Sequence, residues 1–277
     1  MRNQILCSTG ALIGRPNGRD YHLLEKLIPQ LKYDGLEFML YSTWYGEIPK
    51  LTAYLKSLNF PIPVVHCQKT VGELITTHEE SQAFENFKVN CEVAATIGAS
   101  SIVMHLWNGI VSDSEFDRNL KAYSILSSIA GEAGVDLLIE NVLCNVSTPM
   151  KRWIELKETY PDIHFIFDTK MAKFHDEYKL LFEAEYAWLY EEGHIRHYHV
   201  NDYGGGYMDW NNLKVLPIGA GNIDFKPFFD LIRRIGYEGT MTVESTAVRP
   251  DGSVDVDMLN GCYDTIRRYL NETVTNI

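Results

Sequence analysis

Short apolar runs rich in β-forming residues alternate along the chain with longer segments of helical period, a pattern that implies βαβ units and a parallel sheet. Eight such runs predict strands, at residues 4–8, 35–40, 62–67, 101–106, 136–141, 164–168, 195–201 and 239–244. Helices are predicted between them at 21–31, 45–58, 79–97, 115–133, 148–159, around 178–191, 225–235 and 255–269. Three helix ends carry a glycine just before the next strand, in Ile97-Gly98, Ala133-Gly134 and Ile235-Gly236. A glycine there suits the left-handed residue that ends a helix. Eight strands, each followed by a helix, specify a closed α/β barrel of the (β/α)₈ type rather than a doubly wound open sheet, whose first strand would be followed by GxGxxG.

Length and composition leave this picture intact. A chain of 277 residues is ordinary for one such barrel, which runs to about 250 residues. No Pro- or Ser-rich linker or low-complexity block interrupts it, so the expectation is one domain over residues 1–277. Hydrophobic residues at 45% and charged residues at 22% are those of a packed soluble protein. The formal net charge of −12 works against nucleic acid as a partner, since that affinity comes largely from Lys and Arg displacing counterions. Cys7, Cys67, Cys91, Cys144 and Cys262 form an odd set without a CxxC pair, which suits buried reduced thiols. The amino terminus lacks a signal-peptide apolar stretch, and no run approaches the 18 apolar residues of a membrane span. A cytoplasmic protein without membrane contact is expected.

The chemistry lies where polar residues interrupt the strand runs. Barrel active sites sit at the carboxyl ends of the strands, and an ionisable group there needs a partner. Such groups recur on strand after strand: Glu37 in GLEFML, His66 in VVHCQ, His105 in IVMHLW, Glu140 in LLIEN, Asp168 in FIFDT, His199 and Asp202 in YHVND, and Glu244 in TVES. If the strands are parallel these groups converge on one mouth, where clustered carboxylates stay ionised only beside a cation. Glu140, Asp168, His199 and Glu244 offer three oxygen ligands and one imidazole, a set suited to one divalent ion, Mn²⁺, Mg²⁺, Co²⁺ or Zn²⁺. Open coordination positions on such an ion would accept two neighbouring substrate oxygens and stabilise an enediolate.

The fragments YDGLEF, LLIENV, FIFDT, HYHVND, LPIGAGNIDF and GTMTVES, spread over nearly the whole chain, resemble the xylose isomerase-like barrel superfamily, in particular its sugar-phosphate isomerase/epimerase group. The resemblance implies that Glu140, Asp168, His199 and Glu244 bind the metal. It also implies that Glu140 and Glu244 move protons on opposite sides of a small carbohydrate, a sugar, sugar phosphate or inositol-like ketone. The implied activity is isomerisation or epimerisation through an enediolate. The alternative is a metal-dependent dehydratase of an inosose-like substrate, which begins with the same proton abstraction. Ketose 3-epimerases of the group carry a histidine and an arginine where this chain has Met171 and Gly205, so the metal centre transfers and the sugar contacts do not. A third reading, an AP endonuclease-type phosphodiesterase, is favoured by His66 and His105 and opposed by Met171, by a missing Asp-x-His pair between 201 and 224, and by the acidic charge.

The expected substrate contacts are His66, His105, Trp107, Glu37 and Asp202. Trp44 and Trp210 are equally well read as loop packing, His175 as a surface histidine, and Arg15 and Arg249 as solvated. The GAGNIDF stretch reads as a turn with Asp224 capping the next helix rather than as a phosphate loop, and Gly204 to Gly206 as a mobile loop over the site. The pattern leaves room for a homo-oligomer.

Overall fold

The structure is a computed structural model that describes residues 3–272. Eight parallel strands close into a barrel in chain order: β1 (Gln4–Ser8), β2 (Gly35–Met39), β3 (Val64–His66), β4 (Ser101–Met104), β5 (Asp136–Glu140), β6 (His164–Asp168), β7 (Ile195–His199) and β8 (Thr240–Val243). All eight predicted runs are strands, and most stop a residue or more short of their predicted ends. The residues trimmed from the carboxyl ends include the polar His105, Asn141, Asn201 and Glu244 as well as the apolar Leu40, Leu106 and Val200.

The contacts gather into two compact units. Leu36–Phe167 carries β2 through β5 and most of β6, with registers Met39↔His66, His66↔Val103, Met104↔Ile139 and Glu140↔Ile166. Its core includes Phe38, Phe87, Trp153 and Phe165, all inaccessible to solvent. The other unit, built from the residues up to Gly35 and from Asp168 onward, pairs β1 with β8 and β7 with β8, in registers Cys7↔Val243 and His199↔Thr242. Its foot is tied by Arg267, which donates to the Asn3 carbonyl at 2.8 Å and to Asp34, while Asp34 accepts from the Ile5 N–H at 2.8 Å.

The long amphipathic helices lie where the period puts them, at Glu80–Ile97, Phe116–Glu132, Pro149–Thr159, Phe225–Arg234 and Val256–Asn271. Gly98, Gly134 and Gly236 all have positive φ, as the helix-ending role requires. The segments 21–31 and 178–191 break instead into short turns of 3₁₀ and α-helix, and Pro29 accounts for the first break.

Three short helices carry no sequence period and are absent from the prediction: Thr9–Leu12, Thr70–Thr76 and Thr169–Phe174. The second matters for the site. Gly72 brings its backbone so close to the end of β4 that a Cβ there would lie 2.3 Å from the His105 carbonyl oxygen. Buried Asn119 fastens the approach, donating to the carbonyls of Gly72 at 3.1 Å and Leu106 at 2.7 Å while accepting from Thr76.

A buried carboxylate fixes the loops after β4 and β5. Asp113 accepts the N–H groups of Asn145, Val146 and Ser147 at 2.8 to 2.9 Å and pairs with Arg152 at 2.9 Å. Burial opposes its ionisation, but the N–H bonds and the guanidinium outweigh it, so its carboxyl is held below the ordinary 3.8. Asp113→Asn is expected to lower stability by about 1–3 kcal/mol, read as a lower thermal midpoint. With a depressed folded-state pKa, that contribution is full above the ordinary carboxylate range and is lost as pH falls through the lowered value. The gap between wild type and variant therefore closes in acid, and a gap that widened there would contradict this account.

Candidate functional site

At the ends of β6, β7 and β8, Asp168, His199 and Glu244 each present a ligand atom, and these atoms lie within 4.8 Å of one another. The His199 Nδ1 is 3.2 Å from Glu244 Oε2 and 3.8 Å from Asp168 Oδ2. Asn201 joins the two carboxylates, its amide donating to Asp168 Oδ2 at 3.2 Å and to Glu244 Oε2 at 3.1 Å. Its own oxygen accepts the Glu244 N–H at 2.9 Å. Thr169 fixes the Asn201 backbone from both sides, donating to its carbonyl at 2.6 Å and accepting its N–H at 3.0 Å. Asp168 is also the N-cap of the Thr169–Phe174 helix, accepting from the Met171 N–H at 2.9 Å. The neutral Asn201 amide thus sits between two carboxylates. With one imidazole nitrogen they form an O,O,N donor set that fits a hard or borderline divalent ion.

A second constellation belongs to the other unit. Glu140, at the end of β5, lies with its Oε2 at 2.9 Å from His105 Nε2 and 3.4 Å from His66 Nε2. All three residues are buried. His66 Nδ1 faces the Cys67 carbonyl at 2.8 Å, and since a carbonyl only accepts, that nitrogen carries the proton. His105 Nδ1 faces Asn108 Oδ1 at 3.0 Å in the same sense. Both Nε2 atoms therefore turn lone pairs toward a carboxylate oxygen when the rings are neutral, and the three groups form a donor set of one oxygen and two nitrogens. Burial pushes His105 below its ordinary range, against the pull of Glu140.

The remaining expected contacts behave unequally. Glu37 is fully buried and lies mid-strand, in register with Val64, two residues short of the position that pairs with His66. It offers an oxygen within 4.8 Å of a His66 nitrogen. Trp107 has no accessible face: its Nε1 donates to the Leu143 carbonyl at 3.0 Å and its ring meets the edge of Phe116. Asp202 accepts four backbone N–H groups, from Tyr203 and Ile223 on one oxygen and from Gly219 and Gly221 on the other, at 2.8 to 3.1 Å. This explains GAGNIDF: Gly221 packs where a Cβ would come 2.5 Å from that carboxylate, and Asp224 caps the helix as expected.

Of the other candidates, Trp44 is buried against Phe38, Trp210 is half exposed and edges onto Phe174, and Arg249 pairs with Asp255 at 2.8 Å. His175 departs from its surface reading, being 3% exposed and packed against Phe174. The Gly204 to Gly206 loop is tied by the Tyr203 hydroxyl, which donates to the Gly206 carbonyl at 2.9 Å, and by Asn222, which donates to the Gly204 carbonyl at 2.9 Å. Sequence reasoning missed Asn201, although the signal was present. It lies two residues beyond His199 in an extended segment and so faces the same side.

Residues 26–260 match the family described as xylose isomerase-like TIM barrel. The chain belongs to that family. Proteins of known structure superpose on this xylose isomerase-like barrel along most of its length. A D-tagatose 3-epimerase-like protein does so with a TM-score of 0.71 at 20% identity, over 96% of this chain and 97% of that one. The D-allulose 3-epimerase from Methylomonas sp. gives 0.70 at 16% identity, over 97% and 98%. Among curated proteins, the inosose dehydratase of Histophilus somni (strain 129Pt) is 23% identical over 147 residues, 49% of each chain, so the match spans about half of that relative. Among the described residues, no helix is long and apolar enough to cross a membrane.

Proposed function

We propose that this xylose isomerase-like barrel is a sugar-converting enzyme that holds one divalent metal ion and isomerises or epimerises a small keto sugar or inositol-like ketone. The observation that carries the reading is the Asp168, His199 and Glu244 cluster with Asn201 bridging its carboxylates. Glu140 is proposed as the fourth ligand. In support, β5 neighbours β6 in the strand order, and Glu140 is in register with Ile166, two residues before Asp168. When bound, the ion supplies Lewis acidity toward a carbonyl oxygen and its neighbouring hydroxyl.

The protein's own groups do the proton work. A glutamate carboxylate removes the proton from the carbon next to the carbonyl, and the electron pair moves onto the carbonyl oxygen, giving an enediolate. The second glutamate returns a proton to the other face, or to the neighbouring carbon. Glu140 and Glu244 are assigned these roles because β5 and β8 stand three strands apart in the eight-stranded order. Asn201 keeps the Glu244 carboxylate oriented, while His105 and His66 hold Glu140. His66, His105 and Glu37 are proposed to face substrate oxygens, with Trp107 and Asp202 acting one step behind them through packing and loop geometry.

The curated relative favours a second reading on the same residues: an inosose-like ketone loses its α-proton and the enolate then expels a β-hydroxyl as water. Incubation of the metal-loaded protein in D₂O with D-tagatose, D-allulose and an inosose separates the two. Deuterium at the carbon next to the carbonyl, without loss of oxygen, marks isomerisation or epimerisation. An unsaturated or dehydrated product marks the lyase. No exchange on any ketose or inosose, with metal bound, would overturn both.

A further inference from the structure

Among the described residues Ile110 is the most exposed large apolar side chain, at 94%, and Val146 follows at 67%. They belong to the loops after β4 and β5, which are fastened to each other. Asn145, next to Val146, donates to the Ile110 carbonyl at 3.1 Å, and the Ser112 hydroxyl donates to the Leu143 carbonyl at 2.7 Å. Asp113 accepts the N–H groups of Asn145, Val146 and Ser147. Ile110 and Val111 stand at the two central positions of a tight turn that the Ser112 N–H closes onto the Gly109 carbonyl at 3.2 Å, flanked by an antiparallel bridge between Asn108 and Ser112. Turn centres favour Gly, Asn, Asp and Pro. Here two β-branched apolar residues occupy them, and the turn is kept although Ser112 lies in left-handed backbone at φ 42°. Val111 and Leu143, in the same two loops, are half-buried. A lone exposed apolar residue is ordinary, but apolar tips on two loops locked together form a patch, and such a patch marks a contact surface.

The composition of the patch selects the partner. Charged residues make up 22% of the chain, yet neither 106–112 nor 141–150 contains Asp, Glu, Lys or Arg. The charge that ties the loops, Asp113, is 1% exposed and paired with Arg152. The polar residues that these segments leave exposed or half-buried are Asn108, Asn145, Ser147 and Thr148, whose side chains both donate and accept. A two-fold contact sets a patch against itself, so a fixed charge near the axis meets its own copy, whereas amides and hydroxyls match theirs. A strongly acidic or basic partner would call for charges of opposite sign, which the patch lacks. In a chain of net charge −12, a face without exposed charge is where two copies can meet without local repulsion. We propose that the loops after β4 and β5 form a two-fold interface with a second copy of this chain, centred on Ile110 and Val146. These loops leave the barrel at His105 and just beyond Glu140, so the interface and the imidazole and carboxylate cluster share their supports.

The test reads mass and contact rather than turnover, so it stands or falls separately from the isomerase reading. Sedimentation equilibrium of the full chain at micromolar concentration is expected to give twice the 31.7 kDa of one chain. Ile110→Asp and Val146→Asp each set like charges against their copies and are expected to weaken the dimer about 100-fold or more. At their exposure neither side chain supports the fold of a single chain, so far-UV circular dichroism is expected to stay as in the wild type. All five native cysteines are buried, so a short bismaleimide added to Ile110→Cys reacts at the patch. A covalent dimer is expected there and none in Lys88→Cys, which is exposed on the Glu80–Ile97 helix. A wild type that stays at the mass of one chain, including one that instead binds phosphatidylcholine vesicles, overturns the inference. So does a dimer that survives Ile110→Asp and Val146→Asp combined, which would have to form through another face.

Discussion

Glu244→Gln and Glu140→Gln are each expected to reduce turnover by about 10²- to 10⁴-fold while changing substrate binding far less. The substitution nearly preserves size and removes the base, so the loss measures proton transfer rather than packing. The two variants should differ in what surrounds the lesion. Glu244 stands 13% exposed in its side chain beside His199 and Asn201, whereas Glu140 is buried against two imidazoles. Replacing Glu140 by an amide therefore also removes the negative charge that two Nε2 atoms share. Because both residues are proposed ligands, metal content has to be measured in each variant before the rate is interpreted. With full metal loading, Glu244→Gln should still exchange the substrate proton on one face and lose exchange on the other. Wild-type exchange on both faces would make Glu244 a ligand only, and His105 or His66 would then have to carry that proton.

Asn201→Leu is expected to cost about 10- to 100-fold in metal affinity or in kcat/KM, although Asn201 is not itself assigned as a ligand. Its amide is the donor that Asp168 and Glu244 share, and its carbonyl oxygen holds the Glu244 N–H. Leucine fills much the same space and offers neither. Both carboxylates then lose an oriented donor and one buried backbone N–H loses its acceptor, so the geometry loosens without a cavity. Asn201→Asp should be at least as damaging, since a third negative charge would enter the same cluster. An Asn201→Leu protein with unchanged metal affinity and unchanged kcat/KM would show that the bridge is ornamental.

The barrel was legible because each of its strands repeats one signal, a short apolar run that ends in a polar group. The long helices were legible for a related reason: 10 to 18 residues give the apolar stripe room to repeat, as in Glu80–Ile97 and Phe225–Arg234. Thr70–Thr76 and Thr169–Phe174 are too short for a period to show; the first is held by a tertiary bond from Asn119 that no local pattern announces, and the second by the Asp168 cap at its start. At the site, sequence marks which residues carry chemistry and is silent on how that capacity is used. Asp202 and Asp168 look alike at strand ends, yet Asp202 satisfies four backbone N–H groups of its own loop while Asp168 joins His199 and Glu244. Trp107 likewise follows closely on His105 and is wholly enclosed, a matter of packing that hydrophobicity alone does not fix.

The central claim is one metal ion held by a set that includes His199. Elemental analysis of the full-length protein, stripped with chelator, reloaded with Mn²⁺ or Co²⁺ and passed through a desalting column, tests it most directly. One ion retained per chain is expected, with a raised thermal midpoint on loading, and loss of both in His199→Ala. A wild-type protein that emerges metal-free, or a His199→Ala protein that retains one ion per chain as firmly as the wild type, would contradict it.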